Sequence, residues 1–166
     1  MALTQYCELD EVRAALGVNL IELPDTVLNL PVYEMGLVRE LAKISESLPA
    51  AFLSAAALAP EDRSSDQERL FSAGRLFSVA AVARRVGNSL ANLAPKDVSD
   101  GKAALSRFAD SPYRDVLSRV ETEFAESRVD LQSAYSAMEA GAQAPNTRPG
   151  NFFSAVPRAS DPVTGA

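Results

Sequence analysis

Apolar residues recur at three- and four-residue spacings along most of the chain, the period of amphipathic helices. In "CELDEVRAALG", Leu9, Val12 and Leu16 share a face and Gly17 offers a stop, predicting a short first helix. Asp25 reads as a cap before Val27 and Leu28, with Pro24 and Pro31 fixing the chain direction on either side. From Pro31, the series Val32, Met35, Leu37 or Val38, Leu41, Ile44 and Leu48 predicts one helix through Leu48, kinked at Pro49 before more helix in "AAFLSAAALA". Pro60 and "EDRSS" mark a turn.

Two longer periodic segments follow. Ser65 with Glu68 three positions later is a capping-box signal, and behind it Leu70, Ala73, Phe77, Ala80 or Ala81, Val86, Leu90 and Leu93 form a stripe. A helix from about Asp66 to Leu93 would measure roughly 40 Å. Gly74 and Gly87 inside it fit either close helix crossings or bends. Ser99 and Ser111 read as caps, with a short helix between them presenting Ala104, Leu105 and Phe108, and Asp100-Gly101 in a turn or helix entry. Beyond Pro112, Tyr113, Val116, Leu117, Val120, Phe124, Leu131, Tyr135 and Met138 form the clearest stripe, opposite Asp115, Arg119, Glu121, Glu123, Glu126, Arg128 and Asp130. Gly141 is expected to end it.

These elements predict an all-α fold: an antiparallel helical bundle with two long helices, several short helices and an extended C-terminal arm. Residues 1–140 form the helical domain and 141–166 the arm. Composition agrees, with 47% apolar residues, 7% aromatic residues and no Trp; the frequent alanines favour closely packed helices over sheets.

A net charge of −6 speaks against tight, sequence-independent attachment to DNA or to an anionic membrane, although not against proximity to DNA. Neither a signal segment nor a run of about twenty apolar residues is present, so a cytosolic product that crosses no membrane is expected. The single Cys7 excludes an intrachain disulfide and a multi-cysteine zinc centre, and reads as a buried thiol. Absence of histidine removes the commonest acid or base near neutral pH. Glu121, Glu123 and Glu126 read as a solvated face, and no Gly-rich phosphate loop occurs near Gly87 or Gly101. No catalytic, metal-binding or cofactor-binding residues are assigned. Arg84 and Arg85, the adjacent basic pair of the central helix, read as a solvent face or as candidate contacts for an acidic partner or a DNA phosphate.

The arm carries the strongest functional signal. Pro145, Pro149, Pro157 and Pro162 oppose any long element, yet Phe152, Phe153 and Val156 supply an apolar anchor and Arg148 and Arg158 polar fixation. Ordering each residue costs about 1–2 kcal/mol of backbone entropy, so such an arm needs a receiving surface.

The segment "YCELDEVRAALGVNLIELPDTVLNLPVYEMGLVREL", followed by "VSDGKAALSRF" before a long helix, resembles the head-to-tail adaptor, or connector, proteins of tailed bacteriophages from Tyr6 to about Tyr135. Its signatures are packing and turn residues rather than chemical motifs. The resemblance implies a non-enzymatic virion protein of the neck, forming a ring, commonly dodecameric, beneath the portal protein. The ring would extend the genome channel, touch genomic DNA only in passing, and present a platform to a stopper or tail protein. Extended arms would clasp the portal or neighbouring adaptor copies, a role that residues 141–166 match by position and composition. A small cytosolic helical interaction protein or assembly regulator is the other reading.

Overall fold

The computed structural model describes residues 3–93, 98–99, 104–105 and 112–143. Among the described residues six α-helices follow a short 3-10 turn at Leu3–Gln5: α1 (Leu9–Leu16), α2 (Asp25–Leu28), α3 (Pro31–Ala42), α4 (Leu48–Ala56), α5 (Ser65–Leu93) and α6 (Pro112–Gln143), with a second 3-10 turn at Pro60–Asp62 between α4 and α5. The fold is an all-α bundle dominated by α5 and α6, of 29 and 32 residues. Their contacts run in opposite order along the two helices: Asp66 lies beside Gly141, Arg69 bonds Ser133, Phe77 packs on Phe124 and Arg84 pairs with Glu121. The pair is therefore antiparallel. Leu70, Phe77, Val120 and Leu131 fill the seam, and each fully buried side chain of this size contributes roughly 1.5–3 kcal/mol.

The shorter helices wrap α5. Gly17 has φ +68°, a left-handed conformation that costs glycine little, and it ends α1. There Gly17 N–H donates to Ala14 O and Val18 N–H to Arg13 O, both at 3.1 Å, the two bonds of a Schellman cap. Arg13 is buried and ties α1 to α2 by donating to Asp10, to Asp25 (2.7 Å) and to Leu23 O (3.2 Å). Asp25 is thus the first residue of α2 and an ion-pair partner rather than its cap, which is Pro24.

Gly74 and Gly87 resolve toward close crossings. A Cβ on Gly74 would stand 2.3 Å from Phe52 Cδ2 of α4, and one on Gly87 would stand 2.6 Å from Leu117 Cδ2 of α6. Phe52 also sits in a stack, 5.6 Å from the Tyr6 ring and 5.8 Å from the Phe71 ring, and the Arg63 guanidinium caps the column 3.9 Å above Phe71.

Several boundaries differ from the sequence expectations. The helix begun at Pro31 stops at Ala42 and a new one starts at Leu48, with Pro49 in its first turn. Proline has no N–H to donate, which is harmless there but not in a helix interior. Of the stripe expected from Pro31, Leu37, Leu41 and Leu48 are buried and Val38 and Ile44 pack against the core, but Val32 and Met35 face solvent, and Tyr33 and Gly36 take the buried side of the first turns of α3. The α5 cap is Ser64, not Ser65: Ser64 N–H donates to Gln67 Oε1 (2.9 Å) and Gln67 N–H to Ser64 Oγ (3.3 Å). Ala104 and Leu105 do not open a helix. They form a two-residue strand, β2, antiparallel to β1 (Val98–Ser99), with Val98 opposite Leu105 and Ser99 opposite Ala104. Phe108, Ser111 and Asp100-Gly101 lie outside the described residues. Finally, α6 runs through Gly141 to Gln143, because alanine- and glutamate-rich neighbours sustain the helix past one glycine.

Candidate functional site

The two arginines singled out in the sequence leave α5 in different directions, as successive helical positions must. Arg84 turns toward α6: its Nε donates to Glu121 Oε1 at 2.8 Å and its guanidinium lies 4.6 Å over the Phe124 ring. Arg85 turns toward α3 and donates to Val32 O at 3.2 Å. Its guanidinium fills the space that a side chain at position 36 would need, with Nη1 1.2 Å from where a Gly36 Cβ would stand. Between them is a hollow of about 200 Å³ edged by Glu40, Ala81, Asn88 and Phe124. Both cations thus serve as internal braces, half-exposed, one on each side of the central helix. The arm residues Arg148, Phe152, Phe153, Val156 and Arg158 lie outside the described residues.

Cys7 is buried as expected. Burial, and secondarily Glu11, push its thiol up to about 12, so at neutral pH it is the unreactive protonated form. It lines a cleft of about 550 Å³ with Tyr6, Leu53, Phe71 and Arg75. Arg75 is held across that cleft's rim by Glu11, with Nη2 to Oε1 at 2.9 Å and Nε to Oε2 at 3.1 Å, a two-pronged bond that fixes α1 to α5. Among the described residues no group of three or more His, Cys, Asp or Glu gathers into a metal-holding cluster. No helix of the described residues is long and apolar enough to cross a membrane. Of the acidic face on α6, Glu121 pairs with Arg84 and Glu123 lies 3.7 Å from Arg119.

What the sequence pattern did not single out is a set of large apolar side chains on the surface. Leu20, Ile21, Leu30, Val32 and Met35 stand exposed within one short stretch of chain, and Leu76 and Val129 are exposed on the long helices. Val32 and Met35 are three residues apart on one side of α3, and Leu30 immediately precedes that helix. Their signal was available in the frame of α3: once Tyr33, Gly36, Leu37 and Leu41 are taken as the buried set, Val32 and Met35 have nowhere to go but outward. Leu20 and Ile21 carry no periodic signal, since the turn that holds them is made by Asn19 and Glu22.

No protein-family model, curated protein or solved structure matches the chain.

Proposed function

We propose that this chain is a structural head-to-tail adaptor of a tailed bacteriophage, acting in multiple copies beneath the portal protein to extend the DNA channel toward a stopper or tail component. The carrying observation is that Leu20, Ile21, Leu30, Val32 and Met35 all stand exposed within one short stretch of chain. Scattered apolar side chains are normal on protein surfaces, but a local concentration of them marks a surface that another protein covers. The resemblance from Tyr6 to about Tyr135 supplies the kind of protein that would cover it.

The arm fits this reading in charge and in chemistry. Arg148 and Arg158 against Asp161 give residues 144–166 a net charge of +1, which leaves −7 on residues 1–143. A cationic, phenylalanine-bearing segment is suited to a receiving surface on an acidic neighbour or on the portal, while an acidic body lets DNA pass without phosphate attachment.

Co-expression with the portal protein, followed by native mass measurement and electron microscopy, tests the proposal. A ring of adaptor copies on the portal is expected. A chain that stays monomeric and unbound beside its portal excludes the adaptor reading, and a single copy bound to some other partner supports the small interaction protein instead.

A further inference from the structure

Two hollows lie along α5 and share Ser72 and Leu76. The larger, of about 620 Å³, is walled by Ala14 of α1 and by Phe71, Leu76 and Val79 of α5. The smaller, of about 330 Å³, is edged by Arg69 and by Ser127 and Asp130 of α6. Leu76, where they join, is 66% exposed. Both signs of charge stand on the rims, Glu11 with Arg75 on one and Arg69 with Asp130 on the other, so charge selects no occupant and apolar content does.

Reach decides which apolar segment of the chain can fill them. The described chain ends at Gln143, and Gly141 lies beside Asp66 at the start of α5. From Asp66 to Leu76 is about 15 Å along that helix at 1.5 Å per residue. Phe152 follows Gln143 by nine residues, which extended span roughly 30 Å, enough to reach Leu76 even across the width of a helix (~10 Å). Phe108 cannot make the same journey. It precedes Pro112 by four residues, a span of roughly 14 Å at most. Pro112 opens α6 ahead of Leu117, whose side chain packs at Gly87, and this places Pro112 about 24 Å along the bundle from Leu76. A cavity of roughly 150 Å³ holds a benzene ring, so the larger hollow has room for two phenyl groups.

We infer that Phe152 and Phe153 of the free chain seat in the Leu76–Val79 hollow of the same molecule. A tether of this length holds its end at an effective concentration on the order of millimolar, about a thousand times that of a second copy at micromolar chain. The chain's own arm therefore takes the hollow ahead of a neighbour's. While it is seated, Leu76 is covered and the phenylalanine pair is withheld from other surfaces. The contact belongs to the free chain and does not rest on the adaptor reading; on that reading, the portal receives the arm by drawing it out of this hollow.

Disulfide trapping in the full chain, with oxidised glutathione, tests the contact by proximity. Ser72→Cys, on the edge of both hollows, is paired with Ser154→Cys, next to Phe153. The control replaces the first by Ser136→Cys, exposed on α6 seven residues before Gln143. A loose arm meets position 136 more often, because that position lies nearer the root of the tether. With the arm seated, the 72–154 pair is expected to close at least tenfold faster than the 136–154 pair and within monomers, as read by mass under non-reducing conditions and by peptide mapping. Adding Phe152→Ser and Phe153→Ser, both outside every described helix, is expected to abolish that preference. Equal or reversed rates, a preference that survives loss of both rings, or a bond formed between two copies overturns the contact. Each of these leaves the adaptor reading to its own measure, the ring on the portal.

Discussion

Gly74 shows how much of this fold depends on single atoms. Alanine there would gain about 1 kcal/mol of helix propensity, but its Cβ would enter the Phe52 ring at 2.3 Å, and overpacking costs roughly 1–3 kcal/mol. Gly74→Ala is therefore expected to lower the melting temperature rather than raise it, as calorimetry would show. Phe52 itself, fully buried between Tyr6 and Phe71, is expected to cost about 3–5 kcal/mol when replaced by alanine, measured by urea unfolding. Cys7 adds a pH dependence with a definite sign. Its folded-state value of about 12 lies above the ordinary 9.0, so above pH 9 the unfolded chain sheds this proton while the folded chain keeps it. Stability contributed by the protonated thiol is complete below the ordinary value and is lost as pH rises toward 12, by up to about 1.4 kcal/mol per pH unit. Unfolding of the parent and of Cys7→Ala between pH 8 and 11 measures it: the parent should show the steeper fall. The burial of Cys7 was readable from residue type, because a lone cysteine behaves as a small apolar group. The use of Gly74 was not, because its partner comes from a helix 22 positions away in the chain, and spacing within one helix carries no record of what crosses it.

Among the elements, those with a strong period and a clear stop were legible. Helix α1 ends at Gly17 as its sequence demands, and α5 and α6 follow their stripes almost throughout. The errors fall where a proline admits two readings or where tertiary contacts choose the frame. Pro49 could kink a long helix or open a new one, and it opens one. The linker that results is held by side chains no pattern would pair: Tyr135 of α6 accepts a hydrogen bond from Ser47 and donates to Glu139 at 2.7 Å, with Ser45 also in reach at 3.4 Å. Replacing Tyr135 by Phe removes these bonds while keeping the ring in place, and is expected to cost about 1–2 kcal/mol in denaturant unfolding. The expected inward face of α3 holds at Leu37 and Leu41 but not in its first turns, for a related reason. Glycine at position 36 reads as a gap in a hydrophobic stripe, whereas here the gap admits the Arg85 guanidinium and belongs to the buried side. Exposure of Val32 and Met35 accompanies the use of the buried side by Tyr33 and Gly36 in the first turns of the helix.

At the scale of the whole molecule, the bundle was foreseen from two long stripes of matching length, whereas the exposed turn at Ile21 and a hollow of about 620 Å³ walled by Ala14, Phe71, Leu76 and Val79 were not. A hollow arises where α1, only eight residues long, leaves part of the much longer α5 uncovered, a property of relative helix lengths and placement rather than of any local pattern. The same scale decides the role of the arm. Since α6 continues to Gln143, removal of residues 144–166 leaves every described helix whole, and the truncated chain is expected to melt like the parent while losing most of its association with the portal in pull-down and particle-yield assays. Unchanged association would assign portal contact to the bundle alone.

Because α5 and α6 run in opposite directions, together they make an oriented pair about 45 Å long. One pole carries the end of α5 and the start of α6, and the other carries the start of α5 and the end of α6. Leu93, which ends α5, and Gln143, which ends α6, therefore lie at opposite poles. If copies stand side by side with their helix pairs parallel, every one of them offers the same pole to the same side, and the assembly acquires a top and an underside chemically distinct from each other without any additional protein to mark them.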